Sequence, residues 1–492
     1  MKTTKKNPCP SASPKASPPG DPALRRPALI VATISSFMTP FMGSSINLAL
    51  PAISKQFQIG AVLLSWVATS YLLASAVSLV PFGRIADIHG RKLVFSWGIL
   101  LFTLSSLLCA LSFSASALIL FRIFQGIGSA MVFSTGIAIL TSVFPPWERG
   151  KVLGINVAAV YVGLALGPSL GGFLTQHLTW RSVFLANIPF GLIVIFLVWW
   201  RLPGEWAEAR GESFDVPGSL LYTLAVFGAM YGLSLLPEVK GALILLGGLV
   251  CLTIFIIWEE RTENPVFELR LFRTNRVFAF SSLAALINYS ATFAVTFLLS
   301  LFLQHIKGLS PQKAGMVLMA QPVVMAIFSP LAGRISDRVE PRVVASLGMA
   351  LTTAGLLFFT FADSSISLAG LTGGLVLLGL GFAVFSSPNT NAIMGSVEKR
   401  FYGIASGAVG TMRLLGMLIS MAVVTFLFSL LIGHARITPQ NHSLFLKSMK
   451  ASFLVFSLLC FGGIFASMTR GRLRDGESLA PPPAGPKEDP PS

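Results

Sequence analysis

Apolar positions along this chain fall in long unbroken runs joined by short polar segments, without the alternation of strands or the one-sided periodicity of helices packed in water. Fourteen runs stand near residues 28–50, 61–82, 93–113, 118–143, 152–175, 183–200, 216–236, 241–258, 277–303, 314–332, 343–361, 367–387, 404–431 and 451–468. Each approaches or exceeds the roughly 20 residues that carry a helix through about 30 Å of hydrocarbon. The pattern predicts an all-α integral membrane protein with fourteen transmembrane helices. Outside the runs, residues 1–27 are rich in Lys, Pro and Ser, and 469–492 hold Pro481-Pro482-Pro483. Both stretches are expected to be disordered tails, and with no small-residue cleavage site after a short apolar core the first run is expected to be an uncleaved span.

Composition agrees with that reading. Of 492 residues, 53% are hydrophobic and 11% charged, with a mean hydropathy of +0.75, too apolar for a soluble chain of this length. The net charge of +16 would suggest nucleic acid in a soluble protein. Here 26 Lys and Arg fall in the tails and joints of one side and 8 in those of the other, which is the positive-inside pattern of a membrane protein. An even span count puts both termini on one side, and the charge bias makes that side cytoplasmic, in a cell membrane. The four cysteines have neither disulfide-framework nor metal-site spacing.

Two charged joints organise the chain. Gly83-Arg84-Ile85-Ala86-Asp87-Ile88-His89-Gly90-Arg91-Lys92 lies between the second and third runs, and Gly333-Arg334-Ile335-Ser336-Asp337-Arg338-Val339-Glu340-Pro341-Arg342 repeats it 250 residues later. Glycine lets helix ends approach closely, and a carboxylate can cap a helix or pair with arginine, so such a joint can make and break contacts. Six crossings need only about 180–190 residues, so two spans are inserted. The runs at 216–236 and 241–258, bracketed by polar stretches, are the natural insertion within a linker at 201–276. The rest becomes two six-helix bundles, 28–200 and 277–468, related as parallel repeats.

These joints resemble the G-x-L-x-D-R-x-G-R-K/R pattern of the major facilitator superfamily, from which the chain departs at Ile85 and Ile88. The resemblance implies a cytoplasmic latch of Gly83, Asp87, Gly90, Arg91 and Lys92, with Gly333, Asp337 and Arg338 as its second copy. Further motifs agree. Arg122-Ile123-Phe124-Gln125-Gly126-Ile127-Gly128 places an arginine in an apolar span, where charge is costly and usually functional, and resembles the family's R-x-x-Q-G-x-G, whose arginine is assigned to coupling or cavity electrostatics. Gly163, Gly167, Gly171 and Gly172 recur at spacings that let helices touch backbone to backbone, and Pro168 kinks their helix. This stretch resembles the G-x-x-x-G-P-x-x-G-G of antiporters, and with fourteen spans it implies the drug:proton antiporter branch and a hinge in the fifth span. Asn47-Leu48-Ala49-Leu50-Pro51 is similar to that branch's N-V-A-L-P, although Met42 stands where many relatives place Asp. Asn47, Arg122, Gln125 and Arg413, the last about nine residues into its span, are the candidates for the cavity.

All twenty acidic residues fall outside the fourteen runs. A proton-driven exporter of cations usually relies on a membrane-buried carboxylate, so a cavity with Arg122 and Arg413 favours anionic, zwitterionic or neutral amphipathic cargo. Neither a nucleotide-binding G-x-x-x-x-G-K-[ST] nor a catalytic or metal constellation occurs. The expectation is a non-enzymatic, monomeric secondary transporter, without cofactor or nucleic acid, that exports small organic compounds through the bilayer by alternating access. Proton antiport is what the resemblance implies. Export or exchange of organic anions or metabolites, and lipid translocation, are the alternatives.

Overall fold

The computed structural model describes residues 22–207, 209–262, 265–267, 269–397, 402–433 and 435–471. Fourteen helices are long and apolar enough to cross a membrane: α1 Leu24–Phe57, α2 Ala61–His89, α3 Arg91–Ala110, α4 Ala115–Val143, α5 Val152–His177, α6 Ser182–Arg201, α7 Val216–Leu235, α8 Val239–Glu259, α9 Arg276–Ile306, α10 Pro311–Ser336, α11 Pro341–Thr360, α12 Leu368–Gly395, α13 Gly407–Leu431 and α14 Pro439–Thr469. No strand occurs among the described residues. α1–α6 and α9–α14 form the two six-helix sets, and α7–α8 are the inserted pair. Below, the face where α1 starts and α14 ends is the basic face.

The two sets repeat each other in their closest backbone contacts. A β-carbon on Gly126 would lie 2.3 Å from the Tyr71 carbonyl oxygen, and one on Gly379 would lie 2.6 Å from that of Gln321. On Gly128 it would meet the Phe102 nitrogen and Gly98 oxygen, and on Gly381 the Thr352 nitrogen and Gly348 oxygen. On Gly163 it would meet the Phe37 oxygen and Phe41 nitrogen, and on Gly416 the Leu286 oxygen and Ser290 nitrogen. Each second contact falls 249 to 253 residues after its counterpart, a range obtained by subtracting 37 from 286 and 126 from 379. Hydrocarbon supplies little drive for helix association, so close approach at small residues holds both sets together in the same way.

Several boundaries differ from the apolar runs. Helix begins at Pro22, so 22–27 belong to the first helix and not to a tail; residues 1–21 and 472–492 lie outside the described part. Both charged joints are largely helical. α2 continues through Asp87 to His89, and the helix of α10 runs to Arg338. Backbone hydrogen bonding extends each helix past its apolar stretch, and Gly90, with φ at +131°, makes the break before α3. The extended helices therefore take in acidic residues at their ends, Asp87 in α2 and Glu259 in α8, which corrects the expectation that none lies within a span.

The inserted pair packs on both sets, α7 lying against α2 of the first and α13 of the second. α7 and α8 touch where Gly228 meets Gly248, and the Tyr222 hydroxyl donates to the Ala76 carbonyl of α2 at 2.9 Å. At its N-terminus Asp215 accepts from the Gly218 amide at 3.0 Å and from the Trp258 indole at 3.1 Å, tying the start of α7 to the end of α8.

Candidate functional site

Arg122 is 1% exposed and lies inside the first set. Its Nε donates to the Val67 carbonyl of α2 at 3.1 Å and one terminal nitrogen to Gln125 Oε1 at 2.7 Å, while Gln125 Nε2 donates to Ser106 Oγ of α3 at 2.7 Å. The guanidinium carbon sits 4.2 Å from the centre of the Tyr71 ring. Arg122 and Gln125 together thus join α2, α3 and α4. Arg122 and Gln125, candidates for the cavity wall, are sealed within the bundle because carbonyl, amide and ring together replace the water a guanidinium would otherwise seek.

Arg413 has a different setting. It is half-buried on α13, its guanidinium carbon 4.4 Å from the centre of the Phe133 ring on α4 of the other set. Tyr289 of α9 hydrogen-bonds to Arg413 and Ser386, so side chains of both sets, Phe133 and Tyr289, flank this cation. Its buried Nε has no hydrogen-bond partner, and no carboxylate among the described residues pairs with it. Gly410, one turn before, leaves room for Phe133: a β-carbon there would come within 3.1 Å of the ring.

Away from the basic face the two sets are pressed together. A β-carbon on Gly172 would stand 2.3 Å from the Pro311 carbonyl oxygen, and one on Gly315 would stand 2.1 Å from that of Pro168. The same α5 packs its other glycines on α1: Gly163 against Phe37, Gly167 against Ser44 and Gly171 against Ser45. Ser300 Oγ donates to the Asn47 carbonyl at 2.6 Å, Gln304 Nε2 to Ser300 Oγ at 3.1 Å, and Ser65 and Thr425 share a bond of 2.9 Å. Asn47 is 6% exposed, and it is its main chain that engages the second set.

At the basic face Arg91 donates to Asp87 at 2.9 Å and to Ser142 Oγ of α4 at 2.8 Å, both of its own set. The linker after α6 straps this corner. Glu205 accepts from the amides of Lys92 at 2.7 Å, Leu93 at 3.0 Å and Trp206 at 3.1 Å, capping the positive end of α3. Arg91 N donates to the Trp206 carbonyl at 2.8 Å, Ala209 N to the Asp87 carbonyl at 3.0 Å, and Arg84 pairs with Glu212. In the second set a β-carbon on Gly333 would meet Ser387 of α12, and Ser336 takes a bond from Asn391 at 2.9 Å. The Asp337 side chain lies outside the described residues, and Arg338 is exposed.

A family model described as Major Facilitator Superfamily matches residues 32–421. The chain belongs to that superfamily. Two similar proteins are the riboflavin transporter RibZ of Clostridioides difficile, 31% identical over 446 residues that cover 89% of this chain and 96% of the relative, and the multidrug resistance protein Stp of Mycobacterium tuberculosis, 33% identical over 403 residues covering 80% and 74%. Among solved structures, a bacterial homologue of the human lysosomal transporter Spinster, in an inward-facing and unoccupied conformation, superposes with a TM-score of 0.63 at 17% identity, covering 92% of this chain and 98% of that one.

This superfamily member is a transporter and not an enzyme. Three side chains important to its geometry were missed in the sequence. Glu205 stands in a linker whose polarity signalled only a domain joint. Phe133 is one aromatic among many in apolar runs. Arg470, 1% exposed beyond α14, was assigned to a disordered tail, yet it donates to Asn389 Oδ1 of α12 at 2.8 Å and Ser281 Oγ of α9 at 3.2 Å. Its place directly after the last apolar run was the available signal.

Proposed function

We propose that this chain is a secondary active exporter of small organic, amphipathic compounds, working by alternating access in a cell membrane with both termini cytoplasmic. The observation that carries this reading is the asymmetry of the seam between the sets. Gly172 against Pro311 and Pro168 against Gly315 close it away from the basic face, while the corner of Asp87 and Arg91 bonds within its own set. The basic face is then the open, cytoplasmic side, from which cargo enters. The domain division at 28–200, 201–276 and 277–468 belongs to this proposal: the outer segments rock, and the inserted pair lies against both. Similarity to Stp supports drug-like cargo, and similarity to RibZ supports a vitamin-like metabolite.

Proton antiport is the proposed energy source. Uptake into everted vesicles under an imposed pH gradient tests it, with a lipophilic cation, a neutral amphiphile and an organic anion compared. Gradient-driven accumulation is the expected result, and a rate equal to vesicles lacking the protein would sink the reading. A second reading, export or exchange of organic anions or metabolites, is favoured by one observation: among the described residues, the half-buried arginine between the sets has no carboxylate partner.

A further inference from the structure

We infer that Arg413, Phe133 and Tyr289 form a recognition subsite for the anionic group of a flat aromatic cargo. The inference rests on the reading that cargo occupies the space between the two sets.

The argument begins with what Arg413 lacks. A guanidinium has five N–H donors and no acceptor, and away from bulk water each donor wants an oxygen or a π face. Arg122 shows what a satisfied arginine looks like here: a carbonyl, an amide oxygen and a ring, all within one set. Arg413 has the Phe133 ring on one side and the Tyr289 hydroxyl as a hydrogen-bond partner, and its buried Nε is unbonded. Such a guanidinium is short of acceptors and long of charge. A carboxylate or sulfonate supplies two acceptor oxygens in the geometry of the guanidinium fork.

The surroundings exclude the opposite charge. Arg122 over the Tyr71 ring and Arg413 over the Phe133 ring place two cationic groups in the membrane-spanning interior. Among the described residues no carboxylate pairs with Arg413. A cation entering would meet repulsion without a counter-ion, whereas an anion meets charge that no protein group offsets. The aromatic preference comes from the rings. Phe133 from α4 and Tyr289 from α9 bring rings of both sets beside the charge, and Phe382 from α12 packs edge to face on Tyr289 at 5.4 Å. Because Phe133 and Arg413 belong to different sets, a ligand bridging them also reads the separation of the sets.

The test is calorimetric titration of the purified full chain with naphthalene-2-sulfonate and with naphthalene-2-sulfonamide, two ligands of one shape that differ in charge. The sulfonate is expected to bind at least about tenfold tighter, the lower range of a charge-assisted bidentate contact. Arg413→Gln should erase that preference, and Arg413→Lys, which keeps the charge but not the fork, should retain part of it. Phe133→Leu should weaken both ligands alike and leave the ratio unchanged. Equal affinities in the parent chain, no detectable sulfonate binding, or a preference that survives Arg413→Gln in protein that elutes as folded would overturn the inference. Tighter binding of 2-naphthylmethylammonium would overturn it too. No gradient is present in the titration, so an intact sulfonate preference beside absent vesicle uptake would remove the export reading alone.

Discussion

The α-carbon of Gly172 faces the Pro311 carbonyl oxygen across the seam between the two six-helix sets, so closely that a β-carbon would stand 2.3 Å from that oxygen. Glycine at 172 is thus a condition for the closed arrangement, because the neighbouring atom is backbone and cannot rotate away. Gly172→Ala should raise the energy of this state by about 1–3 kcal/mol, as overpacking of a tight contact does. The population would move roughly five- to 150-fold toward arrangements open away from the basic face. Thiol labelling of a cysteine at Gln312 reports the shift, and an unchanged labelling rate would show that the seam yields there.

The strap of the linker over the corner before α3 yields a coupled prediction. Gly90 combines a φ of +131° with contact to Glu205, whose Cδ would lie 2.4 Å from an added β-carbon. Gly90→Ala is therefore strained twice, through its backbone and through Glu205. Glu205→Ala alone removes the cap of three amides and should cost about 1–2 kcal/mol. Combined, the two changes should cost less than the sum of the singles, since the collision disappears with the glutamate. Denaturation midpoints of the four proteins decide it, and strict additivity would place the two residues out of contact.

Arg122 holds its bundle together through Val67, Gln125 and the Tyr71 ring. Arg122→Ala leaves a void and an unpaired Gln125 Oε1, for an expected loss of about 2–4 kcal/mol. Thermal unfolding in detergent should fall by several degrees. An unchanged midpoint would deny Arg122 a structural role and return it to coupling alone.

Arg470 is a joint of the same kind in the second set. By donating to Asn389 and Ser281 it fastens the end of α14 to α12 and α9. Arg470→Gln should destabilise the chain by about 2 kcal/mol and raise amide hydrogen exchange in the last turns of α14. Exchange no faster than in the parent chain would show that the helix end is held by other contacts.

The order of polar and apolar residues by itself determined that fourteen helices cross a membrane and that two sets repeat around an inserted pair. Hydrocarbon admits few solutions, so length and hydropathy decide crossing before any packing is known. The glycines of α5 were legible for the same reason: a small-residue row means close helix contact wherever it occurs. Which contact it means was not legible. Gly163, Gly167 and Gly171 face α1, while Gly172 faces α10 across the seam, a division set by the rotation of α5 between two neighbours. Arg122 and Arg413 look alike in sequence, one arginine each in an apolar run, yet one is enclosed in its bundle and the other stands between the sets. Burial and partners depend on which helices meet at that depth, and residues distant in the chain meet only when the helices have packed. Tertiary structure therefore decided which charge is satisfied within its bundle and which remains between the sets.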